Sequence, residues 1–332
     1  MAERDDPGPA ATRGRRLREI LSLIVLVLAV VAAGRYLLDE EEALAHLTSA
    51  DPILLLTLTG LLASCMVLNG LVTRDVVACF GIRLRIREWM GVTFVTSMLN
   101  LVTPARGGAA ARAVYLKHAH GLKYAEFAGT IAATVGFTVA ANASLGALAL
   151  ALLGIPGGVS GWVAVTACVV VVVSLIGAVV FAPYLDRVST GTPASVLART
   201  IRGWQTISAD RTLLSRLALW TLLNAIAHAI AFSIAFSIAG GSGSYLAAVT
   251  SSAFAKMGAI IAITPAALGV FEAFAVVSAQ IVGEELAASL LAVLLIRIVS
   301  VVLSVGGGAV MWRTIVTGRQ GARPGVDDGG AA

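Results

Sequence analysis

Charge is what this sequence has least of. Asp, Glu, Lys and Arg make up 13% of 332 residues, against 58% hydrophobic residues and a mean hydropathy of +0.90. That balance excludes a water-soluble fold of this length, and several long apolar runs predict a polytopic all-α membrane protein. Alternation is missing too. The runs are aperiodic and rich in Leu, Val and Ala, which excludes a β-barrel. Cysteine is scarce: Cys65, Cys79 and Cys168 are scattered without metal or redox spacing and read as small apolar packing residues. Catalytic signatures are also lacking. There is no His-Glu-x-x-His, no Gly-x-Ser-x-Gly, no P-loop, and no acidic pair suited to Mg-diphosphate inside a span. His118 and His120 stand two apart and do not share a helix face, so neither a metal site nor a cofactor is expected. A net charge of +5 does not call for nucleic acid, because in membrane proteins Lys and Arg report orientation.

What is present is a repeated motif. Val102-Thr103-Pro104-Ala105-Arg106-Gly107-Gly108 returns as Ile263-Thr264-Pro265-Ala266-Ala267-Leu268-Gly269, with Thr-Pro-Ala and the later Gly at the same spacing, 161 positions on. Thr then Pro is an N-cap and first-turn pair, so each copy predicts the tip of a broken helix where a new helix begins.

The chain in order supports this plan. Residues 1–19 form a basic tail, and Ile20 to about Leu38 a first span. A cleaved signal peptide is the rival reading of that stretch, given Ala32-Ala33-Gly34, but the apolar run continues to Leu38. An acidic loop at 39–42 leads to a span over 53–73. Trp89–Thr103 is apolar but only 15 residues, roughly 22 Å as a helix against a ~30 Å hydrocarbon core. The stretch after it exits through Arg112, Lys117, His118, His120 and Lys123, so 89–123 is expected to be a re-entrant hairpin. Further spans are predicted over 126–153, 162–183, 217–239 and 287–311, with a basic loop and a surface helix near Trp204 between the second and third. The second arm, 245–282, is more apolar and is compatible with either a re-entrant hairpin or two crossings. Residues 314–332 read as a disordered cytoplasmic tail.

Shifting by 161 carries the span at 53–73 onto 214–234 and the start at 126 onto 287. The expectation is therefore one transmembrane domain, 20–313, of eight hydrophobic segments: about six full spans and two broken hairpins. It divides into repeats at 20–153 and 160–313. Three crossings per half would insert the halves upside down relative to each other, the inverted-repeat plan of many transporters. With both termini cytoplasmic, the inner segments hold five (1–19), eight (74–125), five (184–216) and three (312–332) Lys and Arg, 21 of the 24, and the outer segments none. So one-sided a distribution places the chain as a multi-pass protein of the cytoplasmic membrane. The three exceptions are Arg35, Lys256 and Arg297, all within apolar runs.

Two helix N-termini converging near the midplane would carry unpaired N–H groups and partial positive charge, a setting for an anion. Thr103, Pro104, Arg106, Gly107, Gly108, Arg112, Thr264, Pro265 and Gly269 are the candidate substrate-binding residues. The glycines would either let backbone approach a ligand or serve tight helix packing. Glu272, about two turns into the second helix, needs a cation; Arg106, Lys256 and Arg297 are the candidates, for a gating pair or a static structural one. Arg35 at a span end reads as a snorkelling residue. Asn69, Asn100, Asn142, Asn224 and His228 read as links between helices.

Pro104-Ala105-Arg106-Gly107-Gly108 with Arg112, and Pro265-Ala266-Ala267-Leu268-Gly269-Val270-Phe271-Glu272, resemble the two signature segments of the flippase-like integral membrane family named for the transmembrane region of lysylphosphatidylglycerol synthetase. The resemblance runs over about 20–313 and implies lipid translocation, or a role beside enzymes that build lipid-linked sugars or aminoacylated phospholipids. Residues 314–332 leave no room for the soluble aminoacyl-transferase domain that some members carry. The family pattern has an acid directly after the glycine of the first motif; here it is Ala109, which leaves Glu272 as the main acidic candidate. The expectation is a lipid flippase, not an enzyme, that moves an anionic phospholipid or polyprenyl-phosphate-linked lipid. Arg112 and Lys117 would gather headgroups at the inner face, and Glu272 with Lys256 or Arg297 would gate. The rivals are a membrane-embedded transferase, a non-catalytic partner of a glycosyltransferase or lipid-modifying enzyme, and a transporter of a small soluble anion. A homo-oligomer is compatible with all of them.

Overall fold

The computed structural model describes residues 50–103, 107–188, 207, 209–261, 264 and 267–317. The expected basic tail, first span, Arg35, Pro104, Arg106, Trp204, Pro265 and the C-terminal tail after Thr317 lie outside the described residues, whereas 314–317, expected to be disordered, continue the last helix. Among the described residues the protein is helical, without strands. Nine α-helices follow one another among the described residues: α1 (Pro52–Ala78), α2 (Ile86–Val102), α3 (Gly107–His120), α4 (Tyr124–Leu152), α5 (Val159–Val188), α6 (Arg211–Ile238), α7 (Tyr245–Gly258), α8 (Val270–Ile281) and α9 (Leu286–Thr317). A 3₁₀ turn, Ala259–Ile261, extends α7.

Local chemistry sets these bounds. Asp51 caps α1 by accepting from Ile53 N–H at 2.8 Å, with Pro52 in the first turn, where its missing donor costs nothing. Asp210 starts α6 in the same way through Thr212 and Leu213. At the ends of α3, α4 and α6 stand Gly121, Gly154 and Gly240, each with positive φ, the left-handed stop that glycine takes without a Cβ penalty.

Among the described residues four helices are long and apolar enough to cross a membrane: α1, α4, α6 and Leu286–Arg313 of α9. They coincide with the spans expected at 53–73, 126–153, 217–239 and 287–311. The span expected at 162–183 falls inside α5. The remaining helices are short. At 17, 14, 14 and 12 residues, α2, α3, α7 and α8 reach about 25, 21, 21 and 18 Å against a core of ~30 Å.

The core is built on α1 packed along α6, with α2 laid on α9, α7 laid on α4, and α8 held between α7 and α9. Leu58, Phe232, Phe236, Leu291 and Ile296 form its largest cluster, joined by Phe271 and Ala275 of α8. In lipid the apolar driving force between helices is weak, so close approach and van der Waals packing must hold them. Small residues provide it. Gly307 and Gly308 of α9 lie against Phe94 and Met98 of α2, where any Cβ would collide.

One local expectation fails. Glu272 lies in the first turn of α8, not two turns in, because the helix starts at Val270. Ala267 (φ 55°) and Gly269 (φ 83°) are both left-handed and break the helical path that Pro265 was expected to open.

Candidate functional site

The short helices close around a cavity of about 470 Å³, within the range of small-molecule sites. Its wall draws on α1, α2, α3, α4, α6, α7 and α9 and includes Thr264 and Ala267 before α8. Three cations reach it, Arg112 from α3, Lys256 from α7 and Arg297 from α9, with hydroxyls and amides such as Thr96, Ser97 and Asn100 between them. No Asp or Glu is among the described residues that line it.

The three cations are held differently. Arg297 Nε donates to Glu272 Oε1 at 2.7 Å, and its Nη2 stands 2.7 Å from the same oxygen without a hydrogen bond of its own. The guanidinium lies 4.9 Å from the centroid of the Phe271 ring, a cation–π contact. Glu272 Oε2 turns back and accepts the Gly269 N–H at 2.7 Å, so one carboxylate caps α8 and ties it to α9. Of the two candidate cations among the described residues, Lys256 and Arg297, it is Arg297 that pairs with Glu272.

Arg112 has a neutral setting. Its Nη1 donates to Thr73 Oγ1 at 3.1 Å, its plane lies 5.4 Å from the Phe127 centroid, and its buried Nε has no hydrogen-bond partner. No described carboxylate forms an ion pair with it. Lys256 is similar. Its Nζ donates to Asn224 Oδ1 at 2.5 Å, and Asn224 Nδ2 is anchored on the Cys65 carbonyl at 2.8 Å. Asn224 does link α6 to α1, but it also aims a lysine. The sequence signal for that second role was an amide and an ammonium buried in separate apolar runs, which no local pattern connects.

The tip residues divide. Thr103 is extended (φ −115°, ψ 133°), as a residue before proline should be, and its Oγ1 donates to Leu99 O at the end of α2. Gly108 N–H donates to Asn100 Oδ1 at 3.0 Å, and a Cβ there would strike the Thr96 carbonyl. The lack of a side chain at Gly107 and Gly108 is thus used by the hairpin's own packing, against Thr103 and α2. Thr264 Oγ1 donates to Leu268 O at 2.7 Å and borders the cavity. Gly269 has open space around the Cα and is required for its φ.

Other polar residues lie elsewhere. His228 shares a 2.8 Å hydrogen bond with Ser252 and stacks near Phe232 and Phe271. Asn142 bonds within its own helix, to Thr138 O. His120 meets Glu88 at 2.5 Å, and Tyr115 donates to the same carboxylate oxygen at 2.9 Å. Lys117 sits over the Tyr124 ring at 4.2 Å, away from the cavity wall. Among the described residues no three His, Cys, Asp or Glu cluster as metal ligands would.

Comparison with known proteins places this geometry in a family context. A stretch of 144 residues, 43% of this chain, is 28% identical to a protein of Haloferax volcanii named glycosyltransferase AglD; the chain spans 23% of that relative's length. The pattern of the family described as "Lysylphosphatidylglycerol synthase TM region" matches residues 20–308. The cavity, α1, α4, α6, most of α9 and both motifs lie inside that match, and the chain belongs to this family of membrane domains.

Proposed function

We propose that this protein is a lipid flippase of the cytoplasmic membrane, and not itself an enzyme. A negatively charged headgroup docks in the cavity between the two hairpins while its hydrocarbon chains stay in the bilayer. The observation that carries the reading is the cavity wall: three cations from three helices, no lining acid, and hydroxyls and amides between them. A headgroup needs such a path; the chains need none.

An inverted repeat with re-entrant hairpins supplies the motion. Several features support it. Adding 161 to the bounds of α1, α2, α3 and α4 lands within four residues of those of α6, α7 with its 3₁₀ turn, α8 and α9. Packing is exchanged as a two-fold axis requires, α2 on α9 and α7 on α4, with α1 and α6 facing each other. The short helices fall well below a full crossing. Rocking of the halves would open the cavity to each leaflet in turn. The Glu272–Arg297 pair, joining α8 to α9, is the contact such a motion must keep or break.

Purified protein in liposomes, scored for leaflet transfer of prenyl phosphate, phosphatidic acid and phosphatidylglycerol, tests the proposal. Protein-dependent transfer of at least one probe is expected. Folded, monodisperse protein that moves none would overturn it. The likeness to glycosyltransferase AglD favours a second reading, a membrane partner of a glycosyltransferase. In that case an enzyme would co-purify with the protein, and substitutions at Arg112 and Lys256 would leave the enzyme's output unchanged.

A further inference from the structure

We infer that the cavity selects a group carrying two negative charges, a terminal phosphate monoester or a diphosphate, over a singly charged phosphodiester headgroup. This rests on reading the same cavity as a headgroup site and narrows what that site takes.

The charge balance of the wall carries the inference. Of Arg112, Lys256 and Arg297, only Arg297 has a carboxylate, and that carboxylate, Glu272, is fully engaged between Arg297 and the Gly269 N–H. Arg112 rests on the Thr73 hydroxyl and the Phe127 ring, Lys256 on the Asn224 amide oxygen. These partners orient a cation without neutralising it. Two charges therefore stand uncompensated. Cations buried at membrane depth are costly unless paired. A phosphodiester brings one negative charge and leaves a cation unpaired; a phosphate monoester near neutral pH, or a diphosphate, brings about two.

Donor geometry agrees. Arg112 Nε is buried and makes no hydrogen bond. Guanidinium donors match terminal phosphate oxygens, which a monoester offers in greater number than a diester does. At about 470 Å³ the space admits a phosphate or diphosphate, with a sugar at most. The same chemistry is offered by free inorganic phosphate and pyrophosphate, so the test separates lipid from soluble anion.

Leaflet transfer is measured in proteoliposomes for prenyl monophosphate, prenyl diphosphate and phosphatidylglycerol. Melting temperature in detergent is measured with inorganic pyrophosphate and with dimethyl phosphate. The doubly charged prenyl lipids should move at least about tenfold faster than phosphatidylglycerol, in keeping with one fully desolvated charge pair. Arg112→Gln and Lys256→Gln should each collapse that ratio towards one, whereas Arg112→Lys and Lys256→Arg should keep most of it; the conservative pair guards against loss of fold. Equal transfer of phosphatidylglycerol overturns the inference while leaving translocation standing. If no lipid moves, translocation is lost. The charge selection then stands only if pyrophosphate raises the melting temperature and dimethyl phosphate does not, which would point to a soluble anion, and it falls if neither or both do.

Discussion

The hairpin α2–α3 and the hairpin α7–α8 occupy equivalent places in the chain and hold themselves in different ways. The first is clamped to itself. Gly108 N–H reaches Asn100, and Glu88 in the first turn of α2 gathers Tyr115 and His120 from the far end of α3. The second is clamped to its neighbour, with Glu272 at the head of α8 bound to Arg297 of α9. Positions equivalent to Arg112, Lys256, Glu272 and Arg297 in the other half are Ala273, Val95, Ala111 and Gly136. The Thr-Pro-Ala motif and the helix lengths recur at that spacing; the charges do not. In the second hairpin the carboxylate and its arginine are paired with each other. The cations left over, one in each hairpin, are those held only by neutral groups.

The largest effect expected from this contrast is on stability, at the second hairpin. Glu272→Gln removes the partner of a mostly buried arginine, and breaking such a pair from one side costs about 2–4 kcal/mol. A fall in thermal or denaturant stability in detergent checks it. The double change Glu272→Gln with Arg297→Gln should recover much of the loss, because no charge is then left stranded. Equal loss in the single and double variants would mean that the pair is not what holds α8 to α9. Next comes Gly108→Ala in the first hairpin. The new Cβ meets the Thr96 carbonyl, backbone that cannot rotate away, and overpacking of that kind costs about 1–3 kcal/mol. Gly269→Ala meets no neighbour but must keep φ 83°, at about 1–2 kcal/mol. If Gly108→Ala were silent, the first hairpin would not depend on that close approach.

Lys256→Met should change stability by no more than about 1 kcal/mol in either direction. It removes a buried charge but strands the Asn224 amide oxygen. Glu272→Gln and Lys256→Met are thus opposites: one unsettles the fold, the other leaves it and weakens transfer. A stability loss at Lys256 as large as at Glu272 would erase the distinction between structural and free cations.

How much of this was legible in the sequence follows from what is local. Apolar run lengths and the glycines after α3, α4 and α6 mark where helices stop, so α1, α4, α6 and α9 fall on expected spans, and the short runs at 89–103 and 265–282 fall on short helices. Arg112, Lys256 and Arg297 are each conspicuous as charges amid apolar residues. Their meeting is not legible, because it depends on α2 lying on α9 and α7 on α4. The choice of Arg297 for Glu272 depends in the same way on α8 reaching α9. The depth of Glu272 in its helix was misjudged for a local reason: Thr264-Pro265 looked like a start, but the left-handed residues Ala267 and Gly269 postpone it to Val270. Asn224 was legible as a helix link and not as the residue that aims Lys256.

The smallest effect sharpens the comparison most. Glu88 Oε1 takes both Tyr115 and His120, and Oε2 accepts from Arg85 N–H, so the carboxylate joins the first turn of α2 to the last of α3. The cluster is partly exposed, the His120 and Glu88 side chains by 24% and 20%, and water screens such a pair to about 0.2–1 kcal/mol. His120→Gln leaves Tyr115 on Glu88, so the loss should sit at the low end and be invisible in a melting curve. Amide exchange is the sensitive readout. Protection over 107–120 should fall by no more than about twofold, the equilibrium equivalent of that energy, with 270–281 unchanged. The polar clamps of the two hairpins share no residue, so the loss is expected to stay in the first hairpin even though α2 and α8 both pack on α9. Equal loss of protection in both would mean that the hairpins move as a single unit, and that the separate clamps do not divide the molecule as their contacts suggest.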